Sequence, residues 1–290
     1  MTLKILLELQ ITNQFNRPWP KGWRGNTKIM GVINVTPDSF SDGGEYLEPL
    51  EAYKKASECI AAGVDVIDVG GQSTRPGAKT ISPEKELQRI MPMLKLLRKN
   101  FPNILISVDT FYSKVAKEVI EIGVDWINDI SGGRLDPKIR NVVASSNCPY
   151  VITHSRGNSF DMNNYAFYND VVEEVYMELM QNVEEALAAG ISNKLILIDP
   201  GLGFAKNNIH NLTLLSNLEK FTDSQYPVLV GPSRKRFIGH VINEPDARKR
   251  IFGTAAVTCR CVQAKVDIIR VHDIKEINQT IKMATSLWPF

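Results

Sequence analysis

Each of eight short apolar runs in this chain stops at a side chain that can carry charge or form hydrogen bonds. Asn34 follows the first run, "GGQSTRPGA" the second, Asp109 the third, Asn128 the fourth, His154 the fifth and Asp199 the sixth. Ser233, Arg234 and Lys235 follow the seventh, and Arg270 and His272 bracket the end of the eighth. These groups divide by chemistry. Asp109, Asn128 and Asp199 can accept from the donor-rich edge of a heterocycle, where a buried polar group left unpaired costs about 1 to 3 kcal/mol. Arg75, Arg234, Lys235, Arg270 and His272 suit phosphate or pyrophosphate, because arginine offers a planar fork to its oxygens and lysine a compact charge. A ligand answering to both sets is a polar ring joined to a phosphorylated arm. Taken singly, Asn34, Asp109, Asn128 or Asp199 reads as readily as a helix cap; a polar group at every run end is the stronger signal.

For these positions to converge, the runs must be strands whose carboxyl ends share one face. They lie at 29–35, 64–69, 104–108, 124–127, 150–152, 195–198, 227–230 and 266–271. Between them run helical stripes. Val171, Val175, Leu179, Val183 and Leu187 recur every four residues, and Ile274, Ile277, Ile281 and Ala284 at three and four. Gly63, Gly123 and Gly190 follow such stripes where a residue with positive φ closes a helix, so "AAGVDVID" and "EIGVDWIND" are one helix-to-strand step written twice. Eight such units predict an α/β fold, a (β/α)8 TIM barrel over 28–290 with 1–27 as an N-terminal lead-in, and barrel sites sit at the carboxyl ends of the strands. The rival, an open doubly wound sheet, lacks its Gly-x-Gly-x-x-Gly after the first strand. Pro92 is expected to bend or split the helix predicted over 84–99.

Composition narrows the partners. With a formal charge of +2 on 290 residues, the chain has no basic excess of the kind that binds nucleic acid. Its apolar runs are far short of the roughly 20 residues of a membrane span, and 1–27 lacks the pattern of a signal peptide. Cys59, Cys148, Cys259 and Cys261 are too scattered for a disulfide framework or a zinc site, which predicts a reducing, cytoplasmic setting. His210 and His240 read as surface or helix-end residues, and Lys249 and Arg250 as a solvated face.

With these residues in hand, the chain resembles the dihydropteroate synthase family from about residue 28 to 285, through "GVINVTPDSFSDGG", "DVIDVGGQSTRPGA", "SVDT", "INDISGG", "DPGLGFAK", "SRKRFIG" and "IIRVHD". The resemblance implies a transferase of folate biosynthesis that joins 6-hydroxymethyl-7,8-dihydropterin pyrophosphate to p-aminobenzoate, releasing pyrophosphate. It implies Asp109, Asn128, Asp199 and Lys235 as pterin contacts and Asn34 as the protein ligand of Mg2+. Thr74, Arg270 and His272 would hold the pyrophosphate. Arg75, Pro76 and Ser233 would shape the p-aminobenzoate site, with Asp42 on a neighbouring loop and Arg236 facing solvent. It also implies a homodimer, for which the apolar helix "RIFGTAAVTCRCVQA" and the C-terminal helix are candidate surfaces. No nucleophilic Ser or Cys is required, since a neutralised pyrophosphate is a good leaving group.

Three positions depart from the family pattern: Gln72 stands where glutamate is common, Ala205 where a glycine usually follows the phenylalanine, and "THSRG" at 153–157 replaces a Met-His-Met stretch. Thr153 removes a polarisable thioether from the pterin face. The variant Thr153→Met is therefore expected to bind pterin more tightly than the unaltered chain; equal calorimetric dissociation constants would refute this. A methyltetrahydrofolate-dependent corrinoid methyltransferase would share Asp109, Asn128 and Asp199 but has no use for "STRPGA", "SRK" and "RVHD" together. A non-catalytic pterin-binding barrel would not need Asn34, Arg270 and His272 intact.

Overall fold

The computed structural model describes residues 19–36, 48–74 and 77–289. Asp42, Arg75 and Pro76 lie outside the described residues. Eight parallel strands follow the order β6-β5-β4-β3-β2-β1-β8-β7. They are β1 (Lys28–Asn34), β2 (Val66–Gly70), β3 (Leu105–Asp109), β4 (Trp126–Asp129), β5 (Tyr150–Thr153), β6 (Ile196–Asp199), β7 (Leu229–Val230) and β8 (Ile268–Val271). A bridge between Ile198 and Val228 joins the two outer strands and closes the barrel. All eight predicted runs contain these strands or overlap them, so the TIM-barrel expectation holds.

Around the barrel stand α1 (Glu48–Ala61), α2 (Pro83–Asn100), α3 (Ser113–Glu121), α4 (Lys138–Ser146), α5 (Val171–Ala188), α6 (Asn208–Ser216), α7 (Glu219–Thr222), α8 (Arg236–Val241), α9 (Ile251–Gln263) and α10 (Ile274–Leu287). Pro92 does not split α2, which continues through it. The proline sits on the exposed face, where the carbonyl it leaves unbonded can be hydrated. The α10 stripe is buried as predicted, but in α5 Leu187 is exposed and Ala186 is buried in its place. A strict four-residue spacing drifts about 40° per step around a helix of 3.6 residues per turn, so its fifth member leaves the core face.

The repeated helix-to-strand step has a physical basis. Asp65, Asp125 and Asp267, each just before a strand, accept from the main-chain N–H of Ile29 (2.9 Å), Ile106 (2.8 Å) and Val228 (2.9 Å) at the start of the neighbouring strand. The strands' two faces then bury separately. Ile29, Ile33, Ile67, Val69 and Ile127 pack with the helices, whereas Met30, Val66, Trp126, Val151, Leu197 and Leu229 form a second cluster inside the barrel. Trp19 and Trp23 stack at 4.5 Å and meet Trp126 edge-on, adding to this inner cluster near the amino ends of the strands. Further along the same inward register the residues turn polar, to Asn34, Asp68, Asp109, Asn128, Asp199 and Arg270. An apolar plug thus supports a polar floor.

Candidate active site

Asp68, Asp109, Asn128 and Asp199 are all buried in this floor. Arg270 crosses it, donating from Nε to Asp68 Oδ2 at 2.6 Å and from Nη2 to Asp109 Oδ2 at 2.8 Å. Asn128 Nδ2 donates to the same Asp68 oxygen at 3.1 Å, and Gly201 N–H to Asp199 Oδ1 at 2.7 Å. Acceptor capacity remains: Asn128 Oδ1 and Asp68 Oδ1 are buried with no hydrogen-bond partner among the described residues. Burial pushes the Asp109 carboxyl up to about 7 against the pull of Arg270, and the Asp199 carboxyl up to about 6 against the Gly201 N–H and Lys235. Burial likewise draws the Lys235 ammonium down to about 8, with Asp199 opposing. Buried acceptors facing a lysine suit a ring that presents N–H donors and an acceptor oxygen together.

The phosphate side is organised by Ser233. Its Oγ accepts from His272 N–H at 3.1 Å and lies 2.9 Å from His272 Nδ1. Ser233 thus holds the His272 ring by its Nδ1 edge. Burial, reinforced by Arg234 and Arg270, holds this imidazole well below its ordinary pKa and hence neutral. Arg234 pairs through both Nε and Nη2 with Asp273, Nε at 3.0 Å, so it braces its loop instead of joining Lys235 as a free cation. Arg236 is exposed. Asn34 Oδ1 and the Asp109 carboxylate face each other across Gly70, where an added Cβ would lie 3.6 Å from the former and 3.8 Å from Asp109 Oδ2.

On the opposite side of the mouth, Gln72, Ser73, Thr74, Phe111, Arg156 and Phe204 help line a cavity of about 20 Å³. Thr74 is among the residues that line it. Gln72 Oε1 accepts from Ile81 N–H at 2.8 Å, tying the two ends of the β2–α2 loop. Phe204 is carried by the loop after β6, which is pressed against β5: a Cβ on Gly201, at φ 69°, would collide with the His154 carbonyl. Ala205 holds φ 48° while fully buried, a left-handed conformation that costs an L-residue about 1 to 2 kcal/mol and explains why glycine is common there. Thr153 points inward and pairs in register with Asp199.

Three residues have roles in this architecture that the sequence did not assign to them. Asp68 is a carboxylate in mid-strand, an anomaly in an apolar run that is the one available signal. Arg250 corrects the expectation of a solvated pair: Lys249 is exposed, but Arg250 is buried. It donates from Nε to Glu244 O (2.9 Å), from Nη1 to Arg234 O (3.0 Å) and Lys235 O (3.4 Å), and from Nη2 to Pro245 O (2.6 Å). Asp129 turns to the helix side, where it binds Ser131 N–H, Gly133 N–H and the Tyr150 hydroxyl at 2.6 to 2.8 Å, which makes it scaffold for the "INDISGG" turn. His210 caps α6 with Asn207, and His240 is exposed, both as expected.

A barrel mouth with an acceptor floor, a lysine and a neutral histidine beside an arginine defines an enzyme site for a polar heterocycle and an anion. The model of the pterin binding enzyme family matches residues 30–272. Dihydropteroate synthase of Synechocystis sp. is 41% identical over 284 residues, covering 96% of this chain and 98% of its own. The crystal structure of dihydropteroate synthase from Clostridium difficile in the presence of pteroic acid superposes with a TM-score of 0.87 at 35% identity, over 93% of this chain and 99% of that one. That of Xanthomonas albilineans with 4-aminobenzoic acid gives 0.86 at 34%, over 91% and 94%. The chain belongs to the pterin-binding enzymes, and within them to the dihydropteroate synthases, transferases of folate biosynthesis.

Proposed function

We propose that this mouth binds 6-hydroxymethyl-7,8-dihydropterin pyrophosphate on its acceptor floor and delivers its methylene to the amine of p-aminobenzoate. The observation that carries the reading is the set of acceptors left open in a buried floor: Asn128 Oδ1, with the carboxylates of Asp109 and Asp199 beside it. Asp199 accepts from the 2-amino and N3 donors, Asn128 and Asp109 hold the rest of the ring, and Lys235 donates to its oxygen. Arg270 and His272 take the pyrophosphate, while Ser233, with Arg75 and Pro76, serves the aminobenzoate.

Mg2+ fits as an ion brought with substrate. Among the described residues no group of three His, Cys, Asp or Glu could cage one, whereas Asn34 offers a hard amide oxygen at the mouth, and Mg2+ takes few protein ligands beside phosphates and water. Bound by Asn34, it would supply charge neutralisation to the leaving pyrophosphate. The protein's own part is electrostatic. As the C–O bond to pyrophosphate breaks, positive charge spreads over the methylene and the ring, and the buried carboxylates of Asp109 and Asp199 offset it without reorganising. The amine nitrogen then forms the new C–N bond and sheds a proton.

The assay is dihydropteroate formation from the two substrates and Mg2+, with Asp199→Asn as control. Replacing an acceptor oxygen by an amide donor facing N–H groups is expected to weaken pterin binding about 10- to 100-fold and to lower product formation accordingly. No product alongside tight pterin binding would overturn the synthase chemistry and leave a binding barrel. The reading extends to a cytoplasmic homodimer. All four cysteines are free thiols, no described helix is long and apolar enough to cross a membrane, and Phe252, Met283 and Leu287 leave apolar surface exposed on α9 and α10.

A further inference from the structure

The motif "DPGLGFAK" ends on Lys206, a buried residue with no part in the roles above. Its side chain folds back beneath its own loop. Nζ donates to the Phe204 carbonyl at 3.0 Å and meets His154 Nδ1 at 2.9 Å. Burial, with Lys206 close by, lowers the His154 pKa to about 3, so the ring is neutral and Nδ1 accepts. The proton on Nε2 then goes to Glu178 Oε2, 3.0 Å away. Arg156 binds the same carboxylate through Nε at 3.0 Å, reaches Glu174 Oε2 at 2.8 Å, and lies 4.0 Å above the Tyr168 ring. The Tyr168 hydroxyl donates to the Ala205 carbonyl at 3.0 Å, one residue before Lys206. The chain of contacts therefore closes on itself. It is tied to Phe204 through that residue's carbonyl, and Phe204 lines the cavity and lies with its ring 4.5 Å from Lys235 Nζ.

We propose that Lys206 is a positioning residue for the aromatic amine: its ammonium closes this circuit and holds Phe204 as the wall against which p-aminobenzoate is seated. The proposal rests on the reading of function given above. Lys206 is faced by Asp199 from β6, by His154 and Arg156 from the segment after β5, by Glu178 from α5 and by Lys235 at the start of α8. Burial lowers its pKa to about 7, with Asp199 and Glu178 opposing. The circuit is thus charged below neutrality and loses its charge-assisted bonds as pH rises. Asp199 is anchored by the Gly201 N–H at 2.7 Å, so its position is expected to depend on Lys206 less than that of Phe204 does.

The test is calorimetric binding of p-aminobenzoate to the full chain saturated with pterin and pyrophosphate, at several pH values from about 6 to 9, for the unaltered protein and Lys206→Met. At the acid end, the variant is expected to bind p-aminobenzoate at least about tenfold more weakly while its pterin dissociation constant stays within about threefold. The unaltered chain should lose aminobenzoate affinity as pH rises through 7, and the variant should show no such fall. Equal aminobenzoate affinity in both proteins, or parallel pH profiles, would overturn the proposal, as would equal loss for both ligands. Should Lys206→Met fail to fold, Lys206→Gln, which keeps an N–H for the Phe204 carbonyl without the charge, is expected to give the same flat profile. If the unaltered chain binds pterin but no p-aminobenzoate at any pH, the functional reading falls and the positioning role falls with it.

Discussion

Arg250→Ala is expected to cost about 4 kcal/mol of stability, the scale of losing a buried cation together with the partners it satisfies. The guanidinium is the common donor for four carbonyls, two on the Arg234–Lys235 loop and two on the Glu244–Pro245 turn. Alanine leaves those carbonyls facing a hole. Gly239 has no Cβ because Arg250 fills that space: an added one would collide with its Nε, so nothing on α8 can move in to compensate. Arg250→Lys keeps the charge but offers a point donor instead of a fork, and should recover less than half of the loss. Urea denaturation of the three proteins measures this directly. Because the same carbonyls set the backbone of Lys235, activity at a temperature where both variants are folded should fall in the same order. A variant as stable as the unaltered protein would mean that water replaces the guanidinium at those carbonyls.

Arg250 also shows why part of the molecule was legible in the sequence and part was not. The barrel was readable because its signal is periodic and repeated: apolar runs, glycine-closed helices and an aspartate before the strand recur around the ring. The floor was readable where a polar residue ends a run, as at Asp109, Asn128 and Asp199. Asp68 lies one residue before its run's carboxyl end and was absorbed into the apolar reading of β2. Arg250, Lys206 and Glu86 stand among ordinary charged neighbours in helices and loops. Their burial is decided by tertiary contacts with segments far apart in sequence, which no local pattern records. Arg234 is the converse case: its position in a basic triplet suggested an anion ligand, yet its partner is Asp273.

Glu86→Gln is expected to stabilise the protein at alkaline pH and to remove a pH dependence. Glu86 lies in α2 among residues that read as a solvated helix start, "SPEKELQR", yet it is wholly buried, and neither carboxyl oxygen has a hydrogen-bond partner among the described residues. It is packed against the β2–α2 loop so tightly that a Cβ on Gly71 would lie 2.9 Å from its Cγ. Burial pushes its pKa up to about 8, with Arg89 opposing and Asp109 adding to the rise. The sign follows from proton counting. In the unfolded chain the carboxyl titrates near 4.5, whereas in the folded chain it keeps its proton until about 8. Between these values the folded state holds the extra proton, so stability falls as pH rises, by about 1.4 kcal/mol per unit. Glutamine has no proton to lose. The stability difference between Glu86→Gln and the unaltered chain should therefore grow by about 3 kcal/mol from pH 5 to pH 8, with Asp109 and the remaining titrating groups common to both proteins. Denaturation curves at the two pH values give the difference, and parallel shifts would mean that Glu86 is ionised in the fold. In its neutral form Glu86 adds no further negative charge beside the Asp68 and Asp109 carboxylates that Arg270 bridges.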